Sequence, residues 1–537
     1  MSGWIDKGIL YHIYPLGFCG AERLNSEFNG TEGRILKVLQ WIEHLSELNV
    51  TAVHFGPVFE SREHGYDTSD YRVIDRRLGS NSDFAAVCRA LHENGMKIVL
   101  DGTFNHVGRD FFAFKDIREK GEASQYCGWF QNLNFGGGSP MGDPFWYEGW
   151  NGHYNLVKLN LKNKEVCAYL SDCIRIWIDE FDIDGIRFDV ADCLDVDFIR
   201  NIHNLTKSIK PDFWLMGEVI HGDYSLWANS SMFDSVTNYQ CYKGIYSAHN
   251  EHNMFEIAHN IDQQIGQYGN CKGLMLYSFL DNHDVNRIAS TLKNPKHVFT
   301  AYTLMYMMCG VPSVYYGSEF GIKGEKTGGS DANLRPCIEL REMKGHNEEL
   351  CRHISRLGAV RLAHTAVQTG GYERMLLTDR QLVFRRYDNS ESVYAVINID
   401  DKPFTFTVTS SSALVDLLTM KRYPFVNGRA EITVEGNTSA VLADEESTDI
   451  ACVVSETTEE SPTQTAVRPS EVIVGRRYRH FKGGEYEVVA IALNSETLEE
   501  MVVYEDKWQQ VWVRPKTMFC ELVEHNDVLQ PRFEPIE

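Results

Sequence analysis

The 537-residue chain has no apolar run approaching the ~18 residues that a membrane-spanning helix needs. Its longest candidate, TLMYMMCGVPSVYYG, is interrupted by Gly310 and Pro312. The N-terminus, MSGWIDKGILYHIYPLGF, lacks the basic segment, apolar core and small-residue cleavage site of a secretory leader, so a cytoplasmic location is expected. No CxxC pair occurs among the 13 cysteines, an odd number scattered along the chain, and reduced thiols are the expectation. Positive charge is scarce. With 52 Lys and Arg against 75 Asp and Glu, the formal charge is −23. Nucleic acid and anionic membrane surfaces call for a basic face, so neither is expected as a partner, whereas a neutral ligand is compatible. Nor does any internal repeat recur at a fixed period.

What is present is an alternation. Short apolar runs such as ILYHIYPLGF, VTAVHFGPVF, MKIVLDGTF, IDGIRFDVA, FWLMGEV, FDSVTN, LMLYSFLDNHD and VPSVYYGSE are separated by longer helical patterns such as VCAYLSDCIRIWIDEF. Eight strand–helix units over about 350 residues predict an α/β fold, a (β/α)8 TIM barrel with one insertion. The boundaries read as a barrel over 1–106 and 161–368, and an inserted Gly- and aromatic-rich B domain over 107–160. A C-terminal antiparallel β-sandwich over 369–443 follows, then an acidic Ser/Thr-rich linker over 444–468 and a small β-rich module over 469–537.

Catalytic groups of such barrels stand where strands end. Here DGTFNH ends in Asp101, Asn105 and His106; GIRFDV carries Arg187 and Asp189; FWLMGEV ends in Glu218; and SFLDNHD ends in His283 and Asp284. Singly, such an Asp is a turn or cap residue and such a His a structural one. Together, several carboxylates and an arginine at one rim cost desolvation and repulsion unless a reaction requires them. Retaining glycoside hydrolysis is a reaction of that kind, because it needs a carboxylate nucleophile and a carboxylic acid for the leaving oxygen. Arg187 is two residues from Asp189, on the same strand face, and is expected to keep it ionised. The apolar neighbours of Glu218 are expected to keep it protonated.

DGTFNH, GIRFDVAD, GEV and FLDNHD, in this order and flanked by HGYDTSDY and GVPSVYYGSE, resemble the motifs of the α-amylase family of glycoside hydrolases over about residues 8–443. The resemblance implies Asp189 as nucleophile, Glu218 as general acid/base and Asp284 as the carboxylate that binds sugar hydroxyls. It further implies that Arg187 holds Asp189, that His106 and His283 bind the sugar being cleaved, and that Tyr66 stacks on it. Asp67 and Arg335 would support the same subsite. Trp146, Tyr147 and Trp150 in the insertion are either sugar platforms or packing of domain B. Lys158-Leu159-Asn160, Val190 and His221 are similar to the neopullulanase and cyclomaltodextrinase branch. Members of that branch usually carry a further N-terminal β domain that builds a dimer, whereas this chain begins at the barrel, which leaves the oligomeric state open.

In secreted amylases calcium ties domain B to the barrel. Asn105 matches one ligand position, but the aspartate position falls near Leu159-Asn160, so a weak or empty site and no cofactor are expected. The expected partners are neutral α-glucan oligosaccharides: maltodextrins or cyclodextrins cleaved at α-1,4 and also α-1,6 bonds. A transglycosylase using the same carboxylates is the alternative, and a non-catalytic carbohydrate binder a further one. The C-terminal module resembles a small bacterial domain of unknown function. Its Tyr478, Trp508 and Trp512 are read as either a carbohydrate platform or a core.

Overall fold

The computed structural model describes residues 3–445 except 31, 32, 344, 410 and 411, and residues 472–536 except 473, 482, 494–499, 507–509, 521, 526 and 527. Eight parallel strands form the barrel: β1 Leu10–Ile13, β2 Ala52–Phe55, β3 Lys97–Gly102, β4 Gly185–Phe188, β5 Trp214–Gly217, β6 Ser235–Val236, β7 Tyr277–Phe279 and β8 Val311–Tyr315. Each pairs in parallel with its neighbours, β8 with β1 included. A parallel bridge from Thr237 to Tyr277 closes the ring.

Side chains alternate along a strand, so every second residue of each barrel strand points inward. Leu10, Ala52, Val99, Trp214, Met216, Tyr277, Phe279 and Val311 form one buried apolar cluster that fills the barrel. Two residues further along their strands come His12, His54 and Asp101, and Arg187 stands two beyond Gly185. The polar residues of the strands are thus an upper interior layer resting on an apolar plug. A second, larger cluster lies between the strands and the surrounding helices.

The helix Lys164–Phe181 shows how a helix sets the position of the next strand. Asn163 caps it by accepting from the Glu165 N–H, and Val166, Leu170, Cys173, Ile174, Trp177, Ile178 and Phe181 make its buried stripe. Asp182 ends it in the left-handed region at φ 54°, which turns the chain into β4.

Domain B follows β3. It is a three-stranded antiparallel sheet of His106–Gly108, Gly149–Trp150 and His153–Lys158, with the helix Phe112–Lys120 packed through Ala113, Phe114 and Ile117. That helix is missed by a reading of the insertion as aperiodic, because its partners are aromatic residues scattered over the insertion: Phe114 packs against Phe130, Phe145 and Tyr147.

The sandwich sets a six-stranded sheet, running from Gly371–Leu377 to Arg422–Tyr423, against the three strands Phe404–Thr409, Phe425–Val426 and Arg429–Val434. Its last strand is Thr438–Asp444, and Glu445 pairs with Arg422 at 2.7 Å, so the sandwich extends two residues into the expected linker. The rest of that linker lies outside the described residues.

The chain divides into two compact units, Met1–Ser455 and Glu456–Glu537. The second contains a five-stranded antiparallel sheet around Tyr478, Val488, Val502, Tyr504, Phe519 and Phe533. Tyr478 is buried in that core and Trp512 is exposed, so they do not share a platform; Trp508 lies outside the described residues. Among the described residues, no helix is long and apolar enough to cross a membrane.

At the N-terminal end of the barrel the fully buried Arg361 donates to the carbonyls of Gly8, just before β1, and Gly310, just before β8, at 3.0 and 2.8 Å, and to Asp6 at 3.2 Å. Arg361→Met would strand these acceptors. The expected loss is about 2–4 kcal/mol, read as a lower thermal midpoint with the helical circular dichroism of the folded protein retained. An unchanged midpoint would contradict this role.

Candidate active site

The site is built at the C-terminal rim around one guanidinium. Arg187 Nη1 donates to Asp101 Oδ1 at 2.7 Å and to Asp189 Oδ1 at 3.0 Å, while Nη2 lies 2.8 Å from Glu218 Oε2. Strand register dictates this convergence, since Arg187 of β4 is paired with Asp101 on β3 and with Met216 on β5. All four groups are buried. Arg187 is held firmly cationic: burial opposes the charge, but Asp101 and Glu218 outweigh it.

Burial, the largest influence, pushes both Asp101 and Asp189 above the usual carboxylate range, and Arg187 opposes that rise without reversing it. Arg187 thus lowers Asp189 as expected, but burial and the neighbouring carboxylates outweigh it. One cation is shared by three carboxylates. The Glu218 carboxylate faces a cation and two polar hydrogens as well as apolar neighbours. The N–H of Val190 donates to Oε2 at 3.0 Å, and the Tyr239 hydroxyl to Oε1 at 3.3 Å. Val190 does so from the left-handed region at φ 42°, a conformation that β-branched residues rarely adopt.

Asp284 stands opposite, with its side chain 37% exposed. Burial acts to raise it, but contacts with His283 at 3.0 Å and Arg335 at 3.0 Å prevail and hold it far below the usual range. Arg335 also donates to the His283 carbonyl at 3.0 Å and lies over the ring of Tyr14 at 4.5 Å. Tyr66 joins the two halves: its hydroxyl contacts Asp101 Oδ2 at 2.9 Å and His283 Nε2 at 2.5 Å, and its ring lies parallel to that of His283.

His106 is neutral, its pKa pushed down by burial to about 3. Its Nδ1 accepts from the Asn105 amide at 3.2 Å, which leaves Nε2 as an N–H donor that is buried without a partner. Trp150 stacks on it at 5.5 Å, so Trp150 lines the site. Tyr147 is fully buried in the core of domain B, and Trp146 is 38% exposed beside Tyr154, so neither shares that stack. Asp67 spends both oxygens on the N–H groups of Glu63 and His64, shaping the loop that presents Tyr66.

Sequence reasoning missed Tyr239, Asn282 and His12. Tyr239 follows β6 at the start of a helix, where it resembles an ordinary first-turn residue. Its hydroxyl accepts from Asn282 Nδ2 at 3.2 Å, and Asn282 Oδ1 in turn receives the N–H of Asp284. In the same interior layer His12 and His54 stack at 4.3 Å with all four ring nitrogens unpartnered, and His12 meets the ring of His283 edge-on at 5.2 Å.

Asn105 offers its amide to His106 and its carbonyl to the N–H of Leu159; Asn160 donates to the Gly128 carbonyl, and Lys158 pairs with Glu148 at 2.9 Å. Direct protein contacts therefore tie domain B to the barrel here. Among the described residues, no three His, Cys, Asp or Glu side chains are grouped to hold a metal ion.

Residues 12–359 match the model of the family described as alpha amylase, catalytic domain, and residues 476–535 that of a protein of unknown function, DUF1653. The chain is 30% identical over 431 residues to a cyclomaltodextrinase of Bacillus sp, covering 76% of this chain and 75% of the relative. It is 32% identical over 419 residues to neopullulanase 2 of Thermoactinomyces vulgaris, covering 74% and 70%. A solved cyclomaltodextrinase structure superposes with a TM-score of 0.73 at 27% identity, covering 82% of this chain and 78% of that one.

The buried imidazoles contribute to the pH dependence of stability with a sign opposite to that of the raised Asp101 and Asp189. Burial lowers His12, His54 and His106 below the ~6.5 of the unfolded chain. Because the folded values are depressed, the contribution of these groups is complete above about pH 6.5 and is lost as pH falls below it. Between pH 7.5 and 5, His54→Phe should therefore lose less of its thermal midpoint than the parent does. A slope as steep in that variant as in the parent would contradict the assignment.

Proposed function

Because the chain belongs to the alpha-amylase family of glycoside hydrolases, we propose that it cleaves α-1,4 and also α-1,6 glucosidic bonds of maltodextrins or cyclodextrins with retention of configuration. The observation that supports this reading most is the bridging of Asp189 and Glu218 by one guanidinium. Sharing adjacent nitrogens favours the short carboxyl separation of a retaining pair, ~5–5.5 Å, over the ~6.5–9.5 Å that leaves room for water in an inverting one.

In the first step Glu218 delivers its proton to the glycosidic oxygen as that bond to the anomeric carbon breaks. Asp189 attacks the same carbon and forms a β-glucosyl ester, releasing the leaving sugar with a new hydroxyl. In the second step Glu218 takes a proton from water, whose oxygen displaces Asp189 and yields the α-anomer. Asp284, held ionised by His283 and Arg335, accepts hydroxyls of the bound sugar, the free Nε2–H of His106 donates to one, and Tyr66 and Trp150 offer ring faces.

The donors around Asn105 support a reaction without calcium. The excess of acidic residues suits a neutral substrate, and twelve unpaired described cysteines suit the cytoplasm.

Proton NMR of maltotriose and cyclodextrin digests should show the α-anomeric hemiacetal appearing first, with the β-anomer growing in by mutarotation. Initial β-anomer would overturn retention. Panose and pullulan should be cleaved as well, and failure on both would restrict the activity to α-1,4 bonds.

A further inference from the structure

Two cavities lie along the helix that begins at Tyr239, whose hydroxyl donates to Glu218. One, about 450 Å3, is walled by Tyr239, Tyr242 and Tyr246 and by Ile220 and His221 of the loop after β5. The other, about 970 Å3, runs between the helices Tyr239–Glu251 and Met254–Ile265 to the strand Gly371–Leu377 of the sandwich. Gly222, Tyr224 and Gln240 line both, so the two make one groove. Its inner end is the Tyr239 ring, whose hydroxyl touches Glu218.

The lining has the chemistry of a neutral polyhydroxylated ligand. Gln263, Gln267 and Asn270 supply amide donors and acceptors, and Tyr268, 91% exposed, supplies a free ring. The hydroxyl of Tyr372 in the same lining has no hydrogen-bond partner within the protein. The charges along the groove are largely neutralised in pairs, Arg374 with Asp262 and Lys243 with Glu256. Phosphate or carboxylate ligands would find no free cation cluster here, whereas sugar hydroxyls exchange readily with amides, and sugar C–H faces pack on tyrosine rings.

We propose that this groove binds the leaving-group arm of a long α-glucan, extending the substrate path from Glu218 across the barrel helices to the sandwich. The direction follows from the role of Glu218: it protonates the leaving oxygen, so the sugars beyond it on the Tyr239 side belong to the leaving chain. The inference rests on the glucan-cleaving activity proposed above. It adds a preference for long linear chains, because a short oligosaccharide ends before reaching Tyr268.

The test uses full-length protein carrying Asp189→Asn, which removes turnover, titrated calorimetrically with maltotriose and maltoheptaose. Tyr268→Ala and, separately, Tyr246→Ala are added to that background, with thermal midpoints confirming the fold. Maltoheptaose affinity should fall about 5- to 20-fold in each, with maltotriose affinity changed less than 2-fold. Binding of both sugars with no selective loss in either variant would overturn the groove while leaving the proposed activity standing. No binding of either sugar to the Asp189→Asn protein would overturn both.

Discussion

The guanidinium of Arg187 is the interaction on which the rest of the site depends. A buried cation is costly unless its hydrogen bonds are met by charges of opposite sign. Here three carboxylates from three neighbouring strands meet them, all within 3.0 Å. The carboxylates repel one another and are themselves buried, so each is tolerable only because the cation is there. The barrel makes the arrangement possible, since parallel strands in register bring Asp101 and Arg187 side by side and hold Glu218 across from them. The apolar plug beneath makes it strong by excluding water from one side. Two neutral histidines, His12 and His54, sit near this charged layer, polar enough to adjoin it and uncharged enough not to compete with Arg187.

The opposite wall solves a different problem. Asp284 is partly open at the barrel mouth, and His283 and Arg335 hold it ionised there. Tyr66, which touches both Asp101 and His283, ties this wall to the Arg187 cluster, and Asp67 braces the loop that carries it. The second set of links, Glu218 to Tyr239 to Asn282 to Asp284, closes the circuit on the other side. Glu218 and Asp284 are thus positioned by hydrogen bonds on both sides of the barrel mouth.

Much of this was legible in the residue order. Apolar strands punctuated by long amphipathic helices gave away the barrel, and the two-residue spacing of Arg187 and Asp189 placed both on one strand face. Less legible was anything decided by strand register. Spacing within β4 pairs Arg187 with Asp189 but is silent about Asp101 and Glu218, which reach the same guanidinium from adjacent strands. Hence the lowering that the arginine exerts on Asp189 is outweighed by burial and by the neighbouring carboxylates. Tyr239 was hidden for a similar reason: β6 has only two residues, and the tyrosine after it looks like the opening of a helix. Tyr147 and Tyr478 illustrate the converse, since aromatic residues that could serve as platforms pack equally well in a core, and only the fold distinguishes the two.

The central claim is that Asp189, held by Arg187, forms the covalent bond while Glu218 moves the proton. It is tested most directly by trapping the intermediate with a 5-fluoro-α-glucosyl fluoride, whose ester turns over slowly, and locating the adduct by peptide mass spectrometry. The account predicts a single glucosyl group on Asp189, no adduct in the Asp189→Asn protein, and an adduct that persists when Glu218 is replaced by Gln, because the fluoride leaves without a proton. A glucosyl group on Glu218 or Asp284, or rapid turnover of the reagent by the Asp189→Asn protein, would contradict it.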